Sequence, residues 1–417
     1  MSSFVIEGGA KLSGTIKIPG AKNAATPILA ACLLTREECV IHNVPEITDV
    51  DKMLNLLKEL GAQVKRDGAT VRVRADDISL SALSTNDVKA MRSSVLLMGP
   101  LLARLKNVRL PEPGGCIIGN RPLSAHLAGL EQMGVTVKMD GEFYELTATT
   151  LSGAHVTLWE FSVTATENLV MAATLAKGIT TIDIAAAEPH VQDLCNFLNT
   201  LGAKISGVGT HSLTIAGVDK LHGGEYTIIP DPIEAGTWAA LATVTRGSVE
   251  ISPVQPQYLG LVLHNLKSIG AQVEVDGQVM QVKSTRQLKP FTKLQALPYP
   301  GFPTDLQAPF SVLATQAAGT SLIQDPLYEG RLNHISELIK MGANAIIADP
   351  HRVVITGPTP LYGREIKSFD LRAGVSLIIA ALMAEGQTII SDAEVVDRGY
   401  EKLESRLRAL GANIKRQ

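Results

Sequence analysis

Two kinds of apolar pattern alternate along the chain in a fixed order. Period-two alternation, as in residues 71–74 and 279–283, predicts half-buried strands. Helical spacing in residues 51–60 and 400–410 predicts amphipathic helices. A third kind is apolar all round and rich in small residues: 23–34, 168–177, 308–318 and 373–385. Such stretches predict helices buried on every side, several stopping at glycine, as at Gly178, Gly319 and Gly386.

The order repeats. Leu60-Gly61-Ala62-Gln63-Val64, Met133-Gly134-Val135-Thr136-Val137 and Leu201-Gly202-Ala203-Lys204-Ile205 are versions of one phrase. Ile269-Gly270-Ala271-Gln272-Val273, Met341-Gly342-Ala343-Asn344-Ala345 and Leu410-Gly411-Ala412-Asn413-Ile414 continue it, with the glycines 73, 68, 68, 72 and 69 residues apart. Near-constant spacing over six copies marks an internal repeat. Each unit reads helix, strand, loop, amphipathic helix ended by the glycine, then one or two strands, which is an α/β pattern. A chain of 417 residues exceeds one core, so three units per domain are expected. The boundary falls at Pro230-Asp231-Pro232, giving one domain of residues 20–229 and a second of 1–19 plus 230–417. The segment before Lys22, with strand character at 3–7 and 14–18, is expected to complete the last unit, because the chain ends without a final strand pair. Two crossings between domains suggest a hinge and a cleft.

Composition narrows the function. A net charge of −3 argues against a general nucleic-acid binder, and 4 % aromatic content offers few stacking platforms. The four cysteines, Cys32, Cys39, Cys116 and Cys195, show no metal-binding spacing, and there is no phosphate loop or dinucleotide fingerprint. No metal or cofactor is expected. With no leader and no apolar run of about 18 residues, a soluble cytosolic protein without membrane partners is expected.

Chemistry-bearing residues recur at two places in the repeat. One is the start of the small-residue helix, where free N–H groups and the dipole favour anions: Lys22-Asn23, Arg92, Ser162-Val163-Thr164, Thr304-Asp305 and Asp370-Leu371-Arg372. The other is the loop before the amphipathic helix: Cys116…Arg121, Glu329-Gly330-Arg331 and Asp397-Arg398-Gly399-Tyr400. Lys22, Arg92, Arg121, Arg331, Arg372 and Arg398 together would bind a strongly anionic substrate. Arg352, Arg364 and Arg416 read as solvated surface residues. Asp305 is a helix-start acid or a general base; Asp370 and Asp397 read as partners that orient the neighbouring arginine. His126 is a candidate to face the ligand, and His334 reads as a packing residue. Cys116, in a Gly/Pro-rich segment with Arg121 nearby, is either a reactive thiol or a small buried residue.

Gly-Ala-Lys22-Asn23, Gly-Gly-Cys116-x-Ile-Gly-x-Arg121-Pro122, Phe-Pro-Thr-Asp305-Leu-Gln, Asp370-Leu-Arg372-Ala and Asp397-Arg398-Gly-Tyr400-Glu resemble the motifs of the enolpyruvyl transferase family over the whole chain. The resemblance implies two inside-out α/β barrel domains, each of three βαβαββ repeats. The cysteine loop and the lysine motif are similar to the branch acting on amino sugars and not to the shikimate branch. That branch transfers the enolpyruvyl group of phosphoenolpyruvate to the 3-hydroxyl of UDP-N-acetylglucosamine with release of phosphate, opening peptidoglycan synthesis. By resemblance the catalytic residues are Cys116, the proton donor to carbon 3, with Asp305, Lys22 and Arg398. Phosphoenolpyruvate would meet Lys22, Asn23, Arg121, Arg331, Arg372 and Arg398. The nucleotide sugar would meet Asn23, Arg92, Arg121, Pro122, Leu123, Ser124, Ala125, Ser162, Val163, Asp305 and Leu327.

Five positions depart from that pattern. Thr48 stands where many members carry lysine, Ser124 replaces an acid, Thr164 a glycine, Pro232 an arginine and Gly330 an asparagine. Ser124 and Thr164 motivate one alternative, an enolpyruvyl transferase with another acceptor, and Thr48 a second, a non-catalytic relative that binds nucleotide sugar.

Overall fold

The computed structural model describes residues 2–114, 119 and 122–417. The chain divides into two compact units, one of residues 20–114 and 122–229, the other of residues 2–19 and 230–417. Each has its own aliphatic core.

In the Gly20 unit the first repeat runs helix Lys22–Ala31, strand Cys39–His42, helix Thr48–Glu59, then strands Gln63–Asp67 and Thr70–Arg74. Cys39–His42 pairs antiparallel with Thr70–Arg74, which pairs antiparallel with Gln63–Asp67. A fourth strand, Gly224–Thr227, comes from the far end of the unit and lies parallel to Cys39–His42, so the last segment closes the first sheet. The third repeat builds an equivalent four-stranded sheet, whereas the sheet of the second repeat has three strands among the described residues. The short helix Thr85–Lys89 packs there beside strand Asn107–Pro111.

The Pro230 unit closes in the same way, using the N-terminus. Strand Ser3–Glu7 lies between Gln387–Ser391 and Asn413–Arg416, completing the last repeat as expected. Strand Ser13–Lys17 does not join it. It pairs parallel with Ser248–Ser252 and completes the sheet of the fourth repeat instead. The N-terminal segment thus serves two sheets of this unit.

The fold is a pair of inside-out α/β barrels. The sheets bury one face, and the small-residue helices are buried all round. Leu371–Met383 is buried from Leu371 to Leu382, and every residue of Gln307–Thr315 is buried. Fully burying Leu377, Ile378, Ile379 or Leu382 stabilises by roughly 1.5–3 kcal/mol each. Small residues let these helices touch. A Cβ on Gly99 would sit 2.4 Å from the Asn168 carbonyl oxygen, and the Gly99 N–H donates to Asn168 Oδ1 at 2.8 Å.

All six glycines of the repeated phrase have left-handed φ, from +88° to +109°. At each, the glycine N–H bonds the carbonyl three residues back and the following N–H the carbonyl five back, as with Gly61 to Lys58 and Ala62 to Leu57. This double hook satisfies the last carbonyls of the amphipathic helix and turns the chain into its strand. It recurs because an L-residue with a Cβ is strained at that φ.

Candidate active site

The Pro230 unit carries the densest polar cluster among the predicted residues. The chain enters helix Gln307–Thr315 through a 3₁₀ turn, Thr304–Leu306, which leaves the Asp305 carboxylate partly open to solvent. Arg331 and Arg372 hold it from two directions. Arg331 Nη2 pairs with Asp305 Oδ1, and Arg372 Nη2 lies 2.8 Å from Oδ2. Both arginines are nearly buried, so little water screens the pairing. Burial works against the Arg372 charge, but Asp305 and then Tyr400 and Asp231 hold its pKa above the ordinary value. Arg372 Nη1 also donates to the Tyr400 hydroxyl at 3.2 Å, and that hydroxyl is 3.0 Å from Thr237 Oγ1.

Asp370 does not orient the Arg372 side chain. It caps helix Leu371–Met383, accepting from the N–H groups of Arg372 and Ala373 at 2.8 and 3.0 Å. Asp397 does not serve Arg398 as expected. Both its oxygens accept from Arg416 at 2.6 Å, and Arg416 also reaches Glu404 and lies over the Phe4 ring. Arg416, expected as solvated, is therefore a tether that fixes the last strand. Arg398 closes the 3₁₀ turn Ala393–Arg398. Leu327 is exposed, and its N–H donates to Asp325.

In the Gly20 unit the predicted residues again sit at helix starts. Lys22 is the first residue of helix Lys22–Ala31, with Asn23 next, and Nζ lies 3.1 Å from Asp49 Oδ2. Asp49 follows Thr48 in the first turn of Thr48–Glu59, where a carboxylate also suits the helix dipole. Arg92 opens the 3₁₀ turn Arg92–Leu97. Ser162 precedes helix Val163–Ala173. Pro122 is exposed, Leu123 and Ala125 are buried, and Ser124 opens helix Ser124–Gln132. His126 is buried, with Nε2 2.9 Å from Thr164 Oγ1, and burial, aided by Arg92, pushes its pKa down to about 3. It is a neutral partner of Thr164 and not an open ligand contact. His334 is buried too, its pKa pushed down to about 4 by burial, in keeping with a packing role. Cys116 and Arg121 lie outside the described residues.

Sequence reasoning missed Asp49, Thr237 and Asp325. Asp49 lies in the first turn of an amphipathic helix and Asp325 in the loop ahead of one, both outside the short segments singled out there, and Thr237 lies inside helix Pro232–Val244, so their roles emerge only from what they touch. Among the described residues no group of three or more His, Cys, Asp and Glu could hold a metal ion. No helix there is long and apolar enough to cross a membrane. The arrangement suits anion chemistry: a carboxylate gripped by two guanidiniums in one unit, and a lysine at a helix start in the other.

Residues 6–407 match the family described as EPSP synthase (3-phosphoshikimate 1-carboxyvinyltransferase). The chain is 45 % identical over 418 residues to UDP-N-acetylglucosamine 1-carboxyvinyltransferase of Psychromonas ingrahamii, covering 100 % of this chain and 99 % of that one. It is 43 % identical over 420 residues to the protein of the same name from Koribacter versatilis, covering 100 % and 96 %. Among solved structures it is similar to the enolpyruvyl transferase NikO from Streptomyces tendae, at TM-score 0.91 and 24 % identity over 100 % of this chain and 99 % of that one.

Proposed function

The chain belongs to the EPSP synthase family, and on that premise we infer that it is a transferase that moves the enolpyruvyl group of phosphoenolpyruvate to the 3-hydroxyl of UDP-N-acetylglucosamine, releasing phosphate. The observation that carries this is the 43–45 % identity, over essentially the full length of both chains, to relatives named for that acceptor. It outweighs the readings prompted by Thr48, Ser124 and Thr164.

The roles we assign follow from the chemistry. As the sugar oxygen attacks carbon 2, its proton must leave and carbon 3 must gain one. Asp305 is the acceptor of the first, being partly open to solvent while two guanidiniums fix its orientation. Cys116 is the donor of the second. The tetrahedral intermediate carries phosphate and carboxylate, which suits Lys22, Asn23, Arg121, Arg331, Arg372 and Arg398. Loss of phosphate and of a carbon-3 proton then restores the double bond. The nucleotide sugar is assigned to Asn23, Arg92, Arg121 to Ala125, Ser162, Val163, Asp305 and Leu327. Helix starts there offer free N–H groups to its diphosphate. We place the reaction in the cytosol, where reduced thiols such as Cys32, Cys39 and Cys195 are usual.

The test is phosphate release from phosphoenolpyruvate with UDP-N-acetylglucosamine or shikimate 3-phosphate as acceptor. Release with the nucleotide sugar alone is expected. Release only with shikimate 3-phosphate would refute the assignment.

A further inference from the structure

Asp325 follows strand Gly319–Gln324 and is fully buried, yet the roles above do not use it. Its backbone is pinned to His351. The Asp325 N–H donates to the His351 carbonyl at 2.8 Å, and His351 Nδ1 lies 2.7 Å from the Asp325 carbonyl oxygen. The two carboxylate oxygens then serve different parts of the assigned site. Oδ1 accepts from the Leu327 N–H at 3.0 Å, and Oδ2 accepts from the Thr304 hydroxyl at 2.5 Å. Thr304 Oγ1 accepts in turn from Arg331 Nε at 3.0 Å, and Arg331 holds Asp305.

The direction of this chain is fixed. Arginine only donates, so the Thr304 proton points away from Arg331 and at Asp325. A hydroxyl that donates to a carboxylate is a better-oriented acceptor for the guanidinium behind it. Burial raises the Asp325 pKa, and the bonds from Thr304 and Leu327 oppose that rise.

We propose that Asp325 is a positioning residue for the transfer reaction. Through Thr304 it sets the pose of Arg331 against Asp305, and through the Leu327 N–H it sets the segment assigned to the nucleotide sugar. The proposal rests on the function inferred above.

The Asp325→Asn variant tests it. A carboxylate accepts at both oxygens, an amide at one, so either the Thr304 hydroxyl or the Leu327 N–H must face an NH2 group. Steady-state kinetics and melting temperatures are measured for the wild type, Asp325→Asn, Thr304→Val, Thr304→Ser and the Asp325→Asn/Thr304→Val double variant. Thr304→Val is expected to lower kcat about tenfold with little change in KM for UDP-N-acetylglucosamine. Asp325→Asn is expected to lower kcat by a similar factor, about tenfold, and to raise that KM severalfold. The double variant should lose no more kcat than Asp325→Asn alone, because both changes break one chain. Thr304→Ser, which keeps the hydroxyl, should retain wild-type kcat. Losses of kcat that multiply in the double variant, or an Asp325→Asn that shifts only the melting temperature, would overturn the proposal while an active wild type upholds the function. A wild type that turns over neither substrate overturns both together.

Discussion

Lys22 Nζ stands 3.1 Å from Asp49 Oδ2, and Asp49 is buried while Lys22 keeps some access to solvent. The carboxylate thus holds the lysine at the start of its helix without closing it off. Asp49→Asn keeps the shape and removes the charge, so Lys22 loses this anchor. Urea unfolding should show a loss of about 2 kcal/mol. The KM for phosphoenolpyruvate should rise about tenfold, with that for the sugar little changed. An unchanged KM would show that Lys22 does not depend on Asp49 for its pose.

Asp305 has two jobs, as proton acceptor and as counter-ion to Arg331 and Arg372. Asp305→Ala removes both and leaves two nearly buried guanidiniums without that charge. Turnover should fall by about 10²–10⁴-fold, the range for losing a general base. The melting temperature should fall too, whereas Asp305→Glu should recover stability before it recovers rate. Full activity in Asp305→Ala, read by phosphate release, would remove the residue from the mechanism.

The buried Tyr400 hydroxyl links Arg372 at 3.2 Å to Thr237 at 3.0 Å. Tyr400→Phe keeps the ring and deletes the link. A stability loss of about 1 kcal/mol is expected, the net worth of a hydrogen bond. Activity should fall through kcat, because Arg372 would be held by Asp305 with one fewer anchor. Kinetics indistinguishable from the wild type would show that Asp305 alone suffices to place Arg372.

Asp193 supplies a pH signature. Burial pushes its pKa up to about 6, although it accepts from the Tyr226 hydroxyl at 2.6 Å and the Ile229 N–H at 3.2 Å. The ordinary value is 3.8, so between the two the folded state holds more protons than the unfolded one. Stability is then lost as pH rises from about 4 to about 6, by up to about 3 kcal/mol for this group. His126 and His334, buried and neutral, act in the opposite direction below about 6.5. The clean measurement is therefore the difference between wild type and Asp193→Asn. The wild type should lose ground to the variant as pH rises through that window. A pH-independent difference would contradict the assignment.

Fosfomycin, an epoxide that resembles phosphoenolpyruvate, tests the thiol. Cys32, Cys39 and Cys195 are fully buried. Burial, with a contribution from Cys39, pushes the Cys32 pKa well up, and burial pushes that of Cys195 up to about 12. Peptide mapping by mass spectrometry should find one adduct, on Cys116. An adduct on any other cysteine, or none, would count against Cys116 as the proton donor.

The repeat was legible because it depends on backbone conformation. Gly61, Gly134, Gly202, Gly270, Gly342 and Gly411 each occupy a left-handed position, so six glycines had to remain in register. The place of Ser3–Glu7 followed from counting strands, but that of Ser13–Lys17 did not, since parallel pairing with Ser248–Ser252 leaves no local mark. In the site, Asp305, Arg331 and Arg372 stood at repeat positions, and the structure brings them together. Asp49 and Asp325 were invisible because their roles depend on partners 27 and 21 residues away, and nothing in their own surroundings signals it. Asp397 and Arg416 misled for the same reason. Neighbours in sequence suggested one pairing, while the geometry of the final strand chose another.

The most direct test is the structure of the product. The purified protein is incubated with phosphoenolpyruvate and UDP-N-acetylglucosamine, phosphate is followed, and the nucleotide product is examined by NMR. Phosphate and product in equal amounts, with an enolpyruvyl ether on the sugar's 3-hydroxyl, is the expected result. Phosphate without a modified sugar, or a sugar recovered unchanged with no phosphate, would contradict the account.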